Sequence, residues 1–168
     1  PHQLMRRYTK PGETVLDLFS GLGTTLIECR RLGRSGLGVE INAKVAARSR
    51  RLIAAAPNPE QTRTRVVVAD SCAPRTRAAL RRELKADGAD AADLVILHPP
   101  YFDIIRFGPS KGDLSNAPDL EAFLERFRGA VENALALLKP GRFLGLVIGD
   151  KYAGGEWVPL GFECMEVC

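Results

Sequence analysis

The hydrophobic positions of the chain change period several times, and each change marks a predicted element. Leu4, Met5 and Tyr8 recur at helical spacing with Arg6 and Arg7 between them, which predicts a short helix within residues 1–10 that Pro11-Gly12 ends. Val15, Leu16, Leu18 and Phe19 form an apolar run interrupted only by Asp17, the pattern of a buried strand. Leu26, Ile27, Cys29 and Leu32 return to helical spacing and Gly33 stops them. Residues 36–41 predict a second strand, and Asn42 is a good cap for a helix over 43–56 that Pro57-Asn58-Pro59 terminates. Residues 64–69 predict a third strand ending at Asp70-Ser71, 74–86 a basic helix, 87–92 a polar turn, and 93–97 a fourth strand running into His98. Leu120, Phe123, Leu124, Phe127, Val131, Leu135 and Leu138 predict one face of a long helix over 119–139, broken by Lys139-Pro140-Gly141. Residues 142–148 predict a fifth strand, 152–159 a glycine-containing loop, and 161–168 the start of a helix. Residues 101–118 are the one long stretch without periodicity, and a stretch of that length inside a compact domain is usually functional or disordered.

Strands alternating with helices at this spacing imply an α/β fold: a Rossmann-like, doubly wound, mainly parallel sheet with helices on both faces. Right-handed crossovers place the C-terminal ends of the strands on one edge. Asp17, Glu40, Asp70 and His98 all fall at such ends, so they are expected to converge on one crevice.

Chemistry concentrates first around Ser20-Gly21-Leu22-Gly23-Thr24. Two glycines there let the backbone turn and approach a ligand with no Cβ in the way. The turn lacks the Gly-Lys-Ser/Thr ending of a nucleoside-triphosphatase loop, and Asp17 just before it repels phosphate and favours a ligand with a positive centre. A carboxylate inside an apolar strand needs a partner, which predicts that Asp17 sits at the strand end. Glu40 follows at roughly the 20-residue spacing at which an acid reaches a ribose in a nucleotide-binding βαβ unit, although a plain surface acid has the same look. Asp70 is placed either to meet a ligand or to cap the following helix.

The stretch D-L-F-S-G-L-G-T-T, residues 17–25, resembles the cofactor motif of S-adenosylmethionine-dependent DNA amino-methyltransferases. His98-Pro99-Pro100-Tyr101 resembles their catalytic motif, in which Asp, Asn or Ser usually precedes Pro-Pro-Tyr or Pro-Pro-Phe. The resemblance covers residues 1–150 and implies N6-adenine or N4-cytosine methylation of DNA, as in restriction-modification systems, with S-adenosylmethionine as cofactor and no metal. It implies that Asp17, Phe19, Ser20, Gly21, Gly23, Thr24, Thr25, Glu40, Ile41, Asp70 and Ser71 line the cofactor site. It gives His98 and the Pro99 carbonyl the two N–H bonds of the target amine, lets Pro100 stiffen that backbone, and gives Tyr101 a flipped base to stack on. Histidine departs from the pattern: a neutral imidazole has one acceptor nitrogen and a protonated one has none, so a structural role for His98 stays open. RNA bases and protein amides are the alternative substrates, since similar Pro-Pro-Tyr motifs serve there, and a non-catalytic cofactor-binding subunit is the alternative of a different class.

Composition adjusts this reading only at its edges. The 168 residues, 45% hydrophobic and 26% charged, are ordinary for one globular domain, so a single catalytic domain over 1–168 is expected, without a separate target-recognition domain. The resembling fold has seven strands where five are evident here, so the sheet reads as C-terminally truncated or closed in another way. Target recognition then falls to residues 101–118, a partner subunit or additional sequence. The net charge of +4, carried mostly by arginine, suits DNA as partner but equally a solvated surface. Arginines 30, 31, 34, 48, 50, 51, 75, 77, 81 and 82 are expected on helices facing solvent, while Arg106 and Lys111, beside the catalytic motif, are the candidates for phosphate contacts. The four cysteines lack paired metal spacing and no apolar run has membrane length, which points to a reduced, cytoplasmic setting.

Overall fold

The computed structural model describes residues 1–102, 108, 110, 112–153 and 155–168. Five parallel strands form the central sheet in the order β3-β2-β1-β4-β5: β1 (Thr14–Asp17), β2 (Ser35–Glu40), β3 (Thr64–Val68), β4 (Ala92–Leu97) and β5 (Leu138–Leu146). Parallel neighbours need crossovers, and the helices supply them: α2 (Thr24–Leu32), α3 (Ala43–Ala55), α4 (Pro74–Ala86) and α5 (Leu120–Leu137). The helix α1 (His2–Tyr8) precedes β1 and α6 (Leu160–Val167) ends the chain.

The period of two along each strand sorts the core onto two faces. Leu16, Leu37, Val39, Val95 and Leu97 pack with Leu80 and Leu84 of α4 and Phe123, Phe127 and Val131 of α5. Val15, Leu94 and Ile96 face the other way, onto Met5 of α1 and Cys29 of α2. Leu26, Ala46, Ile53 and Val66 fill the space between α2, α3 and β3. Since β1 leads outward to β2 and β3 on one side and β4 lies on the other, the strand order reverses between β1 and β4. Loops leaving those two strands part in opposite directions, and the crevice opens at their C-terminal ends.

Four local expectations need correction. The first strand ends at Asp17; Leu18 and Phe19 belong to the turn, Leu18 N–H still reaching Ile96 O. The fifth strand starts at Leu138, because Lys139-Pro140-Gly141 forms an irregularity within it: Ala92 pairs with Leu138 but Leu94 with Phe143. Residues 152–159 are not simply a loop, since β6 (Lys151–Ala153) and β7 (Glu156–Val158) pair as an antiparallel hairpin. Leu135 is 53% exposed; Ala130, Val131, Asn133, Ala134 and Leu137 are the buried residues in the last turns of α5. Asn133 is tolerated there because its amide donates to Ser71 O and Ala73 O and accepts from Arg77 Nε.

Several arginines expected on solvated helix faces instead tie elements together. Arg34 is buried between α2 and β2 and donates to Thr9 O and Leu32 O. Arg30 reaches Ile53 O and Ala56 O at the end of α3, Arg50 reaches Val66 O, and Arg81 reaches Ala136 O. Each satisfies carbonyls that a helix end or strand edge leaves open. Their charge is thereby less available to a polyanion than the composition suggests.

Candidate functional site

The site is assembled at the switch point. Asp17 is the last residue of β1 and only 3% exposed. Burial raises its pKa, and the Thr25 hydroxyl, the Phe19 N–H and the nearby His98 imidazole offset part of that. A folded-state pKa above the unfolded value means that folding favours the protonated carboxyl. The ionised form therefore subtracts stability, increasingly as pH rises from the unfolded value through the raised folded one. Asp17→Asn keeps the acceptor for Phe19 N–H without the charge. It is expected to stabilise the ligand-free protein by about 1 kcal/mol at neutral pH and not below pH 3, as read by denaturant unfolding at both pH values.

After Asp17 the chain turns on left-handed glycines. Gly21 has φ 51° with open space where a Cβ would stand, and Gly23 has φ 84° and serves as N-cap of α2. A Cβ on Gly23 would come within 2.4 Å of Ser49 Oγ and 2.8 Å of Ile53 Cδ1, so α2 closes on α3 only with glycine there. Ser20 N–H is bonded to Val39 O, and its buried Oγ has no partner among the described residues.

Glu40 ends β2 and is bonded by Asn42 N–H at 2.7 Å and by the Gly21 N–H. Burial raises its pKa, those N–H groups offset part of the effect, and the neighbouring Asp113 adds to it. Asp70 does not cap α4, whose N-cap is Ala73. Its Oδ1 accepts from Cys72 N–H at 2.9 Å, and Oδ2 faces Arg126 Nη2 at 3.3 Å. Ser71 is buried with its hydroxyl on Leu18 O, so it braces the turn after β1 from below.

His98 follows β4 directly and is exposed, while Pro99 is buried. Its Nε2 lies 3.3 Å from the Tyr101 hydroxyl and the two rings are tilted at 55°. Tyr101 lies over Gly149, where a Cβ would come within 3.3 Å of its ring. Phe102 then takes φ 54°, a conformation rare for a bulky side chain. It is held edge-on to Phe123 and under Lys151 Nζ, 4.9 Å from the ring centre.

One cavity of about 620 Å³ joins these groups. Phe19, Gly21, Glu40, Ile41, Asp70 and Ser71 line one end and His98, Pro99, Pro100 and Tyr101 the other. Of the residues expected at the cofactor site, Asp17, Ser20, Gly23, Thr24 and Thr25 are not in the lining. Asp17, Ser20, Gly23 and Thr25 are buried as supports of the turn, and Thr24 faces solvent. Arg106 and Lys111 lie outside the described residues. The structure adds Asp113 and Leu114, brought in by a short 3-10 turn (Leu114–Asn116); Arg126 of α5, outside the lining, bridges Asp70 and Gly112 O. Gly112 is needed where it stands: a Cβ would meet Asp70 Oδ2 at 2.6 Å and Ile41 Cδ1 at 2.7 Å. The volume is that of a small-molecule site, and its three carboxylates suit hydroxyl, amine or cationic groups. Among the described residues no group of His, Cys, Asp and Glu is placed to hold a metal ion, and no helix is long and apolar enough to cross a membrane.

The family model described as DNA methylase matches residues 1–51, the segment from α1 through β2 into α3. No curated protein matches the chain in sequence. Solved structures similar to it include TrmN from Thermus thermophilus, 22% identical with TM-score 0.58 over 86% of this chain. The chain spans only 36% of TrmN's length. A Clostridium thermocellum protein described as an rRNA-methylase is 18% identical with TM-score 0.60, over 99% of this chain and 75% of its own. A Geobacter sulfurreducens methyltransferase, crystallised with S-adenosyl-L-homocysteine, is 17% identical with TM-score 0.51, over 86% and 44%. The fold of this chain is that of the class I S-adenosylmethionine-dependent methyltransferases, and its first 51 residues carry the pattern of the DNA methylases.

Proposed function

We propose that the chain is an S-adenosylmethionine-dependent methyltransferase that modifies an exocyclic amino nitrogen of a DNA base. The observation that carries this reading is the single cavity shared by the glycine turn, Glu40 and the His98–Tyr101 segment. Support comes from the DNA methylase match over residues 1–51 and from a fold shared with methyltransferases. The donor set fits the cofactor: Glu40 at a strand end suits the paired hydroxyls of a ribose, and the open face of Gly21 leaves room for backbone approach.

When bound, the cofactor supplies an electrophilic methyl group on a positively charged sulfur. The chain's task is to make a poor nucleophile available, because the lone pair of an exocyclic amine is delocalised into its ring. His98 and the Pro99 carbonyl accept its two N–H groups and so turn the lone pair toward the methyl group. Tyr101 stacks on the base. Glu40 and the Gly21 turn would hold the cofactor so that its methyl group could pass to the amine nitrogen, and the surplus amine proton would leave to solvent at the exposed His98 edge.

Glu40→Ala is expected to weaken S-adenosylhomocysteine binding by about 1–3 kcal/mol, measured by calorimetry, because two hydroxyls lose a charged acceptor. An unchanged affinity removes Glu40 from the site. A second reading, an RNA base as substrate, draws on the fold shared with the rRNA-methylase relative. Labelled methyl transfer offered to DNA, RNA and protein together tests the proposal: label in DNA supports it, and label confined to RNA establishes the second reading.

A further inference from the structure

Glu40, Asp70 and Asp113 all line the cavity, and a cation outside the lining holds one of them. Asp70 and Cys72 also border a second, smaller hollow of about 310 Å³, and Arg126 lines that hollow with them. The guanidinium therefore approaches Asp70 from behind, out of the path of a ligand. Its Nη2 faces Asp70 Oδ2 at 3.3 Å and donates to Gly112 O at 2.8 Å. A guanidinium NH2 group carries two hydrogens, so one nitrogen can serve both acceptors. Asp70 Oδ1 is held in turn by the Cys72 N–H at 2.9 Å. Both carboxylate oxygens are thus fixed by the protein. An ionised carboxylate has about four acceptor positions, so about two stay open to the cavity. Among the described residues, no other ion pair reaches Glu40, Asp70 or Asp113.

We propose that Arg126 is a positioning residue for cofactor binding: it fixes the Asp70 carboxylate so that its open lone pairs meet an N–H or O–H donor of the bound nucleoside. The inference rests on the cofactor reading above. A carboxylate already held at both oxygens meets its ligand without a further loss of rotational freedom. Arg126→Ala leaves Asp70 on the Cys72 N–H alone, and the carboxylate can then turn away from the ligand. Arg126 also grips Gly112 O, and Gly112 belongs to the cavity wall. A residue that only braced that wall would act whether or not Asp70 kept its carboxylate, so the two roles differ in a measurable way.

The test is a double-mutant cycle on S-adenosylhomocysteine binding to the full chain, read by calorimetry. Arg126→Ala and Asp70→Ala are each expected to weaken binding about 10-fold, as for the loss of a hydrogen bond to a charged group. The double variant is expected to bind about as well as the weaker single one, because without the carboxylate Arg126 has nothing to position. Arg126→Lys keeps the charge and the donors but not the planar fork, and is expected within about 3-fold of the parent. Arg126→Met keeps the packed stem without the donors, and it carries the same cycle if the alanine variant does not fold. Losses that multiply to about 100-fold in the double variant overturn the inference and leave the cofactor reading standing. Parent affinity in Arg126→Ala or in Asp70→Ala does the same. A parent chain that binds neither S-adenosylhomocysteine nor S-adenosylmethionine overturns both.

Discussion

Asp93→Ala is expected to lower the unfolding free energy by about 3–5 kcal/mol, the largest effect of any single substitution considered. Asp93 sits near the start of β4, at the sheet edge opposite the cavity, and is 2% exposed. Its Oδ2 accepts the Thr14 N–H at 3.0 Å, and Oδ1 meets Lys139 Nζ at 2.8 Å and Arg142 Nη2 at 2.9 Å. Arg142 also pairs with Glu13. One carboxylate therefore joins the beginnings of β1 and β4 to the corner between α5 and β5. Alanine leaves the buried Thr14 N–H without an acceptor and two cations without their shared partner. Burial alone raises the Asp93 pKa, but Lys139, the Thr14 N–H and Arg142 outweigh it and hold the carboxyl below the usual range. Its contribution is therefore fully present above the ordinary carboxylate value near 3.9 and is lost as pH falls from there through the folded value. Thermal unfolding is expected to place the variant roughly 10 °C below the parent at pH 7 and closer to it at pH 2. Because the cluster lies away from the cavity, the folded variant keeps its affinity for S-adenosylhomocysteine.

His98→Ala is expected to cost about 2–3 kcal/mol of transition-state stabilisation, roughly 100-fold in the chemical step. The side chain is exposed, so folding is unaffected and cofactor affinity stays at the parent level. A neutral imidazole offers one acceptor nitrogen. When that nitrogen is Nε2, the Tyr101 hydroxyl rests on it, and the incoming amine takes the hydroxyl's place. A protonated ring offers none, so the neutral form is the one that can serve the amine. His98→Asn supplies an amide oxygen as acceptor and keeps measurable activity. Single-turnover rates for the three proteins decide the matter. An alanine variant equal to the parent in rate shows that His98 takes no part in the chemistry.

The sheet and the centre of the site were legible because both rest on local patterns. Asp17, Glu40 and His98 each close an apolar strand, and parallel topology brings strand ends together whatever the details of the helices. Asp113 was not legible, since only the turn at Leu114 carries it to the cavity, nor was Arg126, which reaches Asp70 only through the packing of α5, and nothing in their neighbours marks them. The hairpin does carry a sequence signal: Lys-Tyr-Ala and Glu-Trp-Val flank a Gly-Gly pair, a composition that favours tight hairpins. Three-residue strands are too short for alternation alone to separate them from a loop. The arginines show the opposite failure. Periodicity assigned Arg30 and Arg50 to solvent, but a guanidinium on a long stem reaches carbonyls of the neighbouring element, and the pattern cannot report that reach.

The central claim is that the His98–Tyr101 end of the cavity delivers a methyl group to nitrogen on a DNA base. Its most direct test is mass analysis of nucleosides from DNA incubated with the protein and isotopically labelled S-adenosylmethionine, in parallel with His98→Ala. The account predicts label in N6-methyladenine or N4-methylcytosine, and about 100-fold less in the variant at early times. Label on a ring carbon, or DNA left unlabelled while the protein binds S-adenosylmethionine, contradicts it.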